Sequence, residues 1–129
     1  FDPGNVQQEW DDQLRFLRAT LGHTTRNGSR RILVFAHHPL SLREPDEEDS
    51  WAVVPSERRR ILLDLFKDNG VSFVFSGHWH RNGYAKDENL EMITTGPVGF
   101  PLGDDPSGFR VVRIGNDSLE HEYLSLETG

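Results

Sequence analysis

The sequence predicts an α/β domain, one parallel βαβ unit followed by antiparallel strands, and three observations carry that reading. The runs Arg31-Ile32-Leu33-Val34-Phe35 and Val71-Ser72-Phe73-Val74-Phe75-Ser76 are apolar on both faces, as buried parallel strands are. A helical pattern separates them. After His80 the chain turns to short β runs punctuated by Gly, Pro, Asn and Asp.

Element by element, Val6, Trp10, Leu14, Leu17 and Leu21 recur at spacings of four, four, three and four, one face of an amphipathic helix. Asn5 is placed to cap it and Gly22 to stop it. A polar loop over 23–30 carries the turn signal Asn27-Gly28. Residues 31–36 then read as a buried strand. The loop of about fifteen residues that follows holds the acidic run Glu44 to Asp49, and loops that long are usually functional or disordered. Ser56 is expected to cap a helix bearing Ile61, Leu62, Leu65 and Phe66, with Asn69-Gly70 as its end. Residues 71–76 form the second strand. Strand, helix and strand within ~45 residues call for a right-handed parallel crossover. Leu90 to Thr95, Phe109 to Ile114 and Leu119 to Leu126 are further β runs, the last two a hairpin. No repeat or low-complexity tract interrupts the chain.

Composition bounds the chemistry. The 129 residues suit one core, and the net charge of −7 argues against a nucleic-acid partner, which needs clustered Lys and Arg. No apolar run is long enough to span a membrane as a helix. With no cysteine, disulfides and thiolate metal sites are excluded, and a cytoplasmic setting fits. The chain starts at Phe1 and its one methionine is Met92, as a fragment or processed product would.

Both apolar runs end in histidines: Ala36-His37-His38-Pro39 and Gly77-His78-Trp79-His80. Parallel strands share a carboxyl edge, where ligands bind. His37, His78 and His80 are therefore candidate metal ligands. Gly77 is expected to let the chain turn, and strand alternation to bring His78 and His80 to one side. His38, next to a ligand, is expected to point away and to support the site or the fold. His23 and His121 read as surface or packing residues.

These residues carry a resemblance. Val34-Phe35-Ala36-His37-His38-Pro39 and Gly77-His78-Trp79-His80 resemble the last two motifs of the calcineurin-like metallophosphoesterases. His78-Trp79-His80-Arg81-Asn82, Ile93-Thr94-Thr95, Leu102-Gly103 and Asp105-Pro106-Ser107-Gly108-Phe109-Arg110-Val111-Val112 resemble the branch of calcineurin-like phosphoesterase domain-containing protein 1. The resemblance implies a four-layer αββα sandwich of which this chain is the C-terminal half. It implies two divalent or trivalent ions (Fe, Zn or Mn), His37 and His78 on one and His80 on the other. Such a pair polarises a phosphoester, activates water and neutralises developing charge.

The family's D-x-H, G-D-x-x-D and G-N-H-[DE] segments are absent. Gly103-Asp104-Asp105 and Gly115-Asn116-Asp117 do not replace them. Residues 1–129 are thus expected to be the C-terminal part of one domain whose N-terminal half is the missing partner. No catalytic residue is expected in this chain. It should hold metal weakly, fail to turn over phosphoesters alone and expose apolar surface.

Other residues have two readings each. Arg81 and Asn82 follow the ligands and either bind substrate phosphate or order the loop. Arg58, Arg59 and Arg60 read as a charged face, and Glu44 to Asp49 as solvated or as an acidic rim. Trp51 is a loop anchor or an aromatic lid, and Trp79 should pack inward. The leading function is a metal-dependent phosphoester hydrolase acting on a phosphorylated substrate, a phosphoprotein Ser/Thr phosphatase or a phosphomonoesterase. Its rivals are a nucleotide or nucleic-acid phosphodiesterase, the latter disfavoured by the lack of a basic stripe, and a non-catalytic metal- or partner-binding module.

Overall fold

The computed structural model describes residues 7–26, 31–116 and 118–127. Asn5, Val6 and the Asn27-Gly28 turn lie outside them. The elements run α1 (Gln7–Arg26), β1 (Ile32–Phe35), α2 (Ser56–Asp68), β2 (Val71–Ser76), β3 (Gly83–Asp87), β4 (Leu90–Thr94), β5 (Gly108–Ile114) and β6 (Leu119–Ser125).

Two sheets form. One has four strands in the order β1-β2-β4-β3, and the other is the β5-β6 hairpin. β1 and β4 both run parallel to β2, and β3 lies antiparallel to β4. The architecture is the mixed α/β arrangement that the two apolar runs and the later turn signals predict.

The two faces of β2 build three layers, and a register irregularity between Val71 and Phe73 interrupts the strict alternation of its side chains. Val71 and Val74 join Trp10, Leu21, Leu62, Leu63 and Phe66 of the helices in the main core. Leu90 and Met92 of β4 and Ala85 of β3 complete that face. On the other face Phe73 stacks on Phe75 at 6.1 Å, and Phe75 meets the His121 ring of the hairpin edge-on at 6.1 Å. Helices, four-stranded sheet and hairpin are therefore stacked in that order.

Four local expectations need correction. Helix α1 runs through Gly22 to Arg26; one glycine costs about 1 kcal/mol in a helix, too little to end one whose face is packed. Ser56 does not cap α2: Pro55 holds the cap position with no side-chain bond. The carboxylate of Asp49 caps from the loop instead, accepting the Ser56 N–H at 2.7 Å. β1 is not buried on both sides, since it is the sheet's edge and Phe35 is 73% exposed. β3 was not legible as a strand, because Gly83-Tyr84-Ala85-Lys86-Asp87 buries only Ala85. The Asn69-Gly70 stop holds: Gly70 takes φ +69° and its N–H bonds the Lys67 carbonyl at 3.0 Å.

Long as it is, the 36–55 loop is well tied down. Arg59, 1% exposed, reaches into it from α2. Its guanidinium donates to the carbonyls of Leu40 and Val54, both at 3.4 Å, and to that of Glu47, with the Asp49 carboxylate 3.8 Å away. Glu47 in turn accepts the Leu42 N–H at 2.5 Å. Part of the acidic run is thus structural rather than merely solvated, and Arg59 is no part of a charged face.

Candidate metal centre

The parallel ladder continues past the strands and sets the site. Ala36 N–H donates to Phe75 O at 2.9 Å, Gly77 N–H to His37 O at 3.0 Å and Thr95 N–H to Ser76 O at 2.8 Å. Underneath, the Ser76 and Thr94 hydroxyls bond one another at 3.0 Å in a buried pair. The carboxyl ends of β1, β2 and β4 are thereby locked side by side.

The turn after β2 is not the extended stretch that alternation assumes. His78 and His80 themselves take left-handed φ values of 63° and 57°, while Gly77 does not. Trp79 N–H closes onto Gly77 O at 2.7 Å. The Trp79 ring packs on the small cluster of Leu42, Ala52 and Val53, as expected.

His37 and His78 converge. His78 Nδ1 lies 3.2 Å from His37 Nε2. Two imidazoles bound to one tetrahedral ion at 2.0–2.1 Å would place their nitrogens ~3.3–3.4 Å apart, so the pair already stands at a ligand edge. The tautomer agrees. His78 Nε2 is 3.3 Å from the Trp51 carbonyl, which can only accept, so the proton sits on Nε2 and the Nδ1 lone pair faces His37.

His38 joins these two. Its ring centroid is 3.9 Å from that of His78 and 5.0 Å from that of His37. Among the described residues, His37, His38 and His78 form the group of potential ligands whose donor atoms all lie within 4.8 Å of one another. The expectation that His38 points away from the pair does not hold.

His80 lies outside that group and is fixed separately. Its Nδ1 donates to the Phe100 carbonyl at 2.6 Å, which leaves the Nε2 lone pair available. Leu102 N–H returns to His80 O at 3.0 Å.

The two candidate phosphate ligands do different things. Arg81 is exposed, its guanidinium 5.4 Å from the Trp79 ring. Gly103, at φ +143°, lies against it so closely that a Cβ would sit 2.9 Å from Arg81 Nε. Asn82 is a tie: its Oδ1 accepts from Gly96 N–H at 3.2 Å and Arg110 Nη2 at 2.8 Å, and its own N–H donates to Asp105 at 2.5 Å. Arg110 also reaches His121 Nδ1 at 2.9 Å and Thr95 Oγ1 at 3.3 Å, fastening the hairpin to the ligand loop. Burial pushes the Arg110 pKa down, and burial together with the Arg110 cation lowers that of His121.

Sequence reasoning missed Phe100, Asp105, Arg110 and Arg59 as organisers of this region. Phe100 acts through its carbonyl, which leaves no residue-type signal. Asp105 and Arg110 were visible only within the resemblance.

A parallel sheet whose carboxyl edge gathers imidazoles, backed by an antiparallel hairpin, is the arrangement the histidine motifs imply, and over nearly its whole length the chain is similar to calcineurin-like phosphoesterases. In particular, it is similar to the serine/threonine-protein phosphatase CPPED1 of Danio rerio, at 39% identity over 127 residues, covering 98% of this chain and 41% of that protein. The Homo sapiens protein of the same name is 37% identical over 124 residues, covering 95% and 37%. The chain thus spans about two fifths of the length of the curated relatives it matches. Among solved structures, GAP50, the anchor in the inner membrane complex of Plasmodium, superposes with a TM-score of 0.69 at 18% identity, over 97% of this chain and 41% of that one. A dimetal phosphatase from Danio rerio gives 0.52 at 22% identity, over 66% and 26%. Those two likenesses concern the fold. No protein-family model matches the chain. Among the described residues, no helix is long and apolar enough to cross a membrane.

Proposed function

We propose that residues 1–129 are the C-terminal part of a dinuclear metallophosphoesterase domain that dephosphorylates phosphoserine or phosphothreonine in proteins. The approach of His37 and His78 from adjoining parallel strand ends, 3.2 Å nitrogen to nitrogen, carries this reading. The names of the curated relatives supply the substrate class. His37 Nε2 and His78 Nδ1 would hold one ion, and His80 Nε2 would serve the second. Iron, zinc or manganese, when bound, would polarise the phosphoester and offset charge developing on the phosphoryl oxygens. The chain's own contribution is orientation: the carbonyls of Trp51 and Phe100 fix the tautomers of His78 and His80, and exposed Arg81 offers a guanidinium for phosphate.

Imidazoles alone do not supply a bridging carboxylate. The isolated chain is therefore inactive, and the rest of the domain is its obligatory partner. A second reading, a non-catalytic module binding one metal ion, is favoured by the closeness of His38 to His37 and His78. Calorimetric titration with Zn²⁺ separates the two. His37→Ala and His78→Ala should each weaken binding by about tenfold or more, ~1.4 kcal/mol; unchanged affinity in both would remove the metal centre. A further loss in His38→Ala but none in His80→Ala supports the single-ion module. Metal-dependent turnover of p-nitrophenyl phosphate by the isolated chain would overturn the expectation of inactivity.

A further inference from the structure

Each histidine of the Gly77-His78-Trp79-His80 turn is bonded to the backbone carbonyl of an exposed aromatic residue. His78 Nε2 meets Trp51 O at 3.3 Å, and the Trp51 ring, 69% exposed, stands 5.6 Å from the His78 ring. His80 Nδ1 meets Phe100 O at 2.6 Å, and the Phe100 ring, 68% exposed, stands 6.4 Å from the His80 ring. Other large apolar side chains are exposed in this chain, but these two are held beside the candidate ligands by the bonds that orient those ligands.

Both are mounted on fixed backbone. Trp51 is followed by Ala52, Val53 and Val54, all buried, and Val54 N–H is bonded to Pro39 O at 2.9 Å. Phe100 precedes Leu102, whose N–H is bonded to His80 O at 3.0 Å. Two wet rings on fixed backbone are surfaces suited to a ligand, because little further backbone ordering is needed when it arrives. From the proposed phosphatase reading, on which this step rests, we infer that Trp51 and Phe100 form an aromatic rim that selects phosphopeptides by large apolar side chains flanking the phosphorylated residue.

A peptide suits the rim better than a nucleotide or nucleic acid. The loop that ends at Trp51 carries exposed Glu44, Asp46 and Glu48, which repel additional phosphates but tolerate or attract a basic peptide. One phosphoryl group beside Arg81, with apolar side chains on either hand, matches that charge pattern.

The test uses the full-length protein that contains this stretch, with Mn²⁺, and three probes: a phosphoserine peptide flanked by phenylalanines, the same peptide flanked by glycines, and AMP. The phenylalanine-flanked peptide should be preferred over the glycine-flanked one by about tenfold in kcat/KM, mostly through KM. Trp51→Ala and Phe100→Ala should each cut that ratio several-fold, and the double variant should bring it to about one. Trp51→Phe should keep it. A wild-type ratio near one, a ratio that survives the double variant, or faster hydrolysis of AMP would overturn the rim. So would a double variant that loses stability without losing selectivity, because the rings would then be packing against the rest of the protein. If neither peptide is hydrolysed, the phosphatase reading fails, and the same ratio measured in Kd by fluorescence anisotropy decides the rim alone: equal affinities for the two peptides sink it.

Discussion

Arg59 places a guanidinium in the core because the chain wraps oxygen atoms around it: the carbonyls of Leu40, Glu47 and Val54, and the Asp49 carboxylate nearby. Removing one partner of a buried charged network leaves the others unpaired. Arg59→Met should therefore destabilise the protein by about 2–4 kcal/mol, and Arg59→Lys by less, read from urea midpoints. If Arg59→Met is neutral, the loop is held by something else. The sequence held this signal in a form easily overlooked. Three consecutive arginines suggest a charged face, but consecutive helical residues point ~100° apart. Arg59, Leu62, Leu63 and Phe66 share the buried stripe of α2, whereas Arg60 is exposed and Arg58 lies over the Trp10 ring at 5.2 Å. The histidines divide for a related reason. His37 and His78 meet because strand ends in a parallel sheet are neighbours, which periodicity can reveal. The turn that carries His78 and His80, with its positive φ values, cannot be read from a two-residue alternation.

Among the elements, those with strong apolar patterning were legible: α1, α2, β1, β2, β4 and the hairpin. β3 was not, because its pairing with β4 supplies what its own sequence lacks. The hairpin is fastened in part through a histidine, whose ordinary pKa is 6.5. His121 of β6 faces Arg110 of β5, the Phe75 ring of β2 and, acting in the opposite sense, Glu91 of β4. Burial and then Arg110 hold its pKa below the ordinary 6.5. The unfolded chain therefore takes up a proton near 6.5 that the folded chain refuses until lower pH. The stability associated with neutral His121 is complete above that value and is lost as pH falls through it. Urea midpoints taken at pH 7.5, 6.5 and 5.5 should fall more steeply for the wild type than for His121→Gln. Parallel curves for the two would show that this histidine does not govern the hairpin's acid sensitivity.

At the scale of the molecule, the sheet ends in an unpaired edge. Among the described residues, β1 has a strand neighbour on one side only, and Phe35 at its end is 73% exposed beside Phe75, ring to ring at 5.5 Å. Open apolar edges recruit other strands. The isolated chain should self-associate with rising concentration, and Phe35→Lys should reduce this, as judged by sedimentation velocity. A wild-type chain that stays monomeric throughout would count against an open edge. What lies on the far side of that edge could not be read from these residues, since a parallel strand's pattern names its own faces and not its next neighbour.

The backbone at positions 78 and 80 bears on how such a chain can evolve. A left-handed residue other than glycine costs roughly 1–2 kcal/mol, although histidine tolerates the region better than branched side chains do. Were thermal robustness the sole pressure, drift would carry both positions toward glycine or asparagine. A lineage released from its chemistry should therefore grow sturdier at this turn while losing its imidazoles, and decay of activity would be accompanied by a gain in melting temperature.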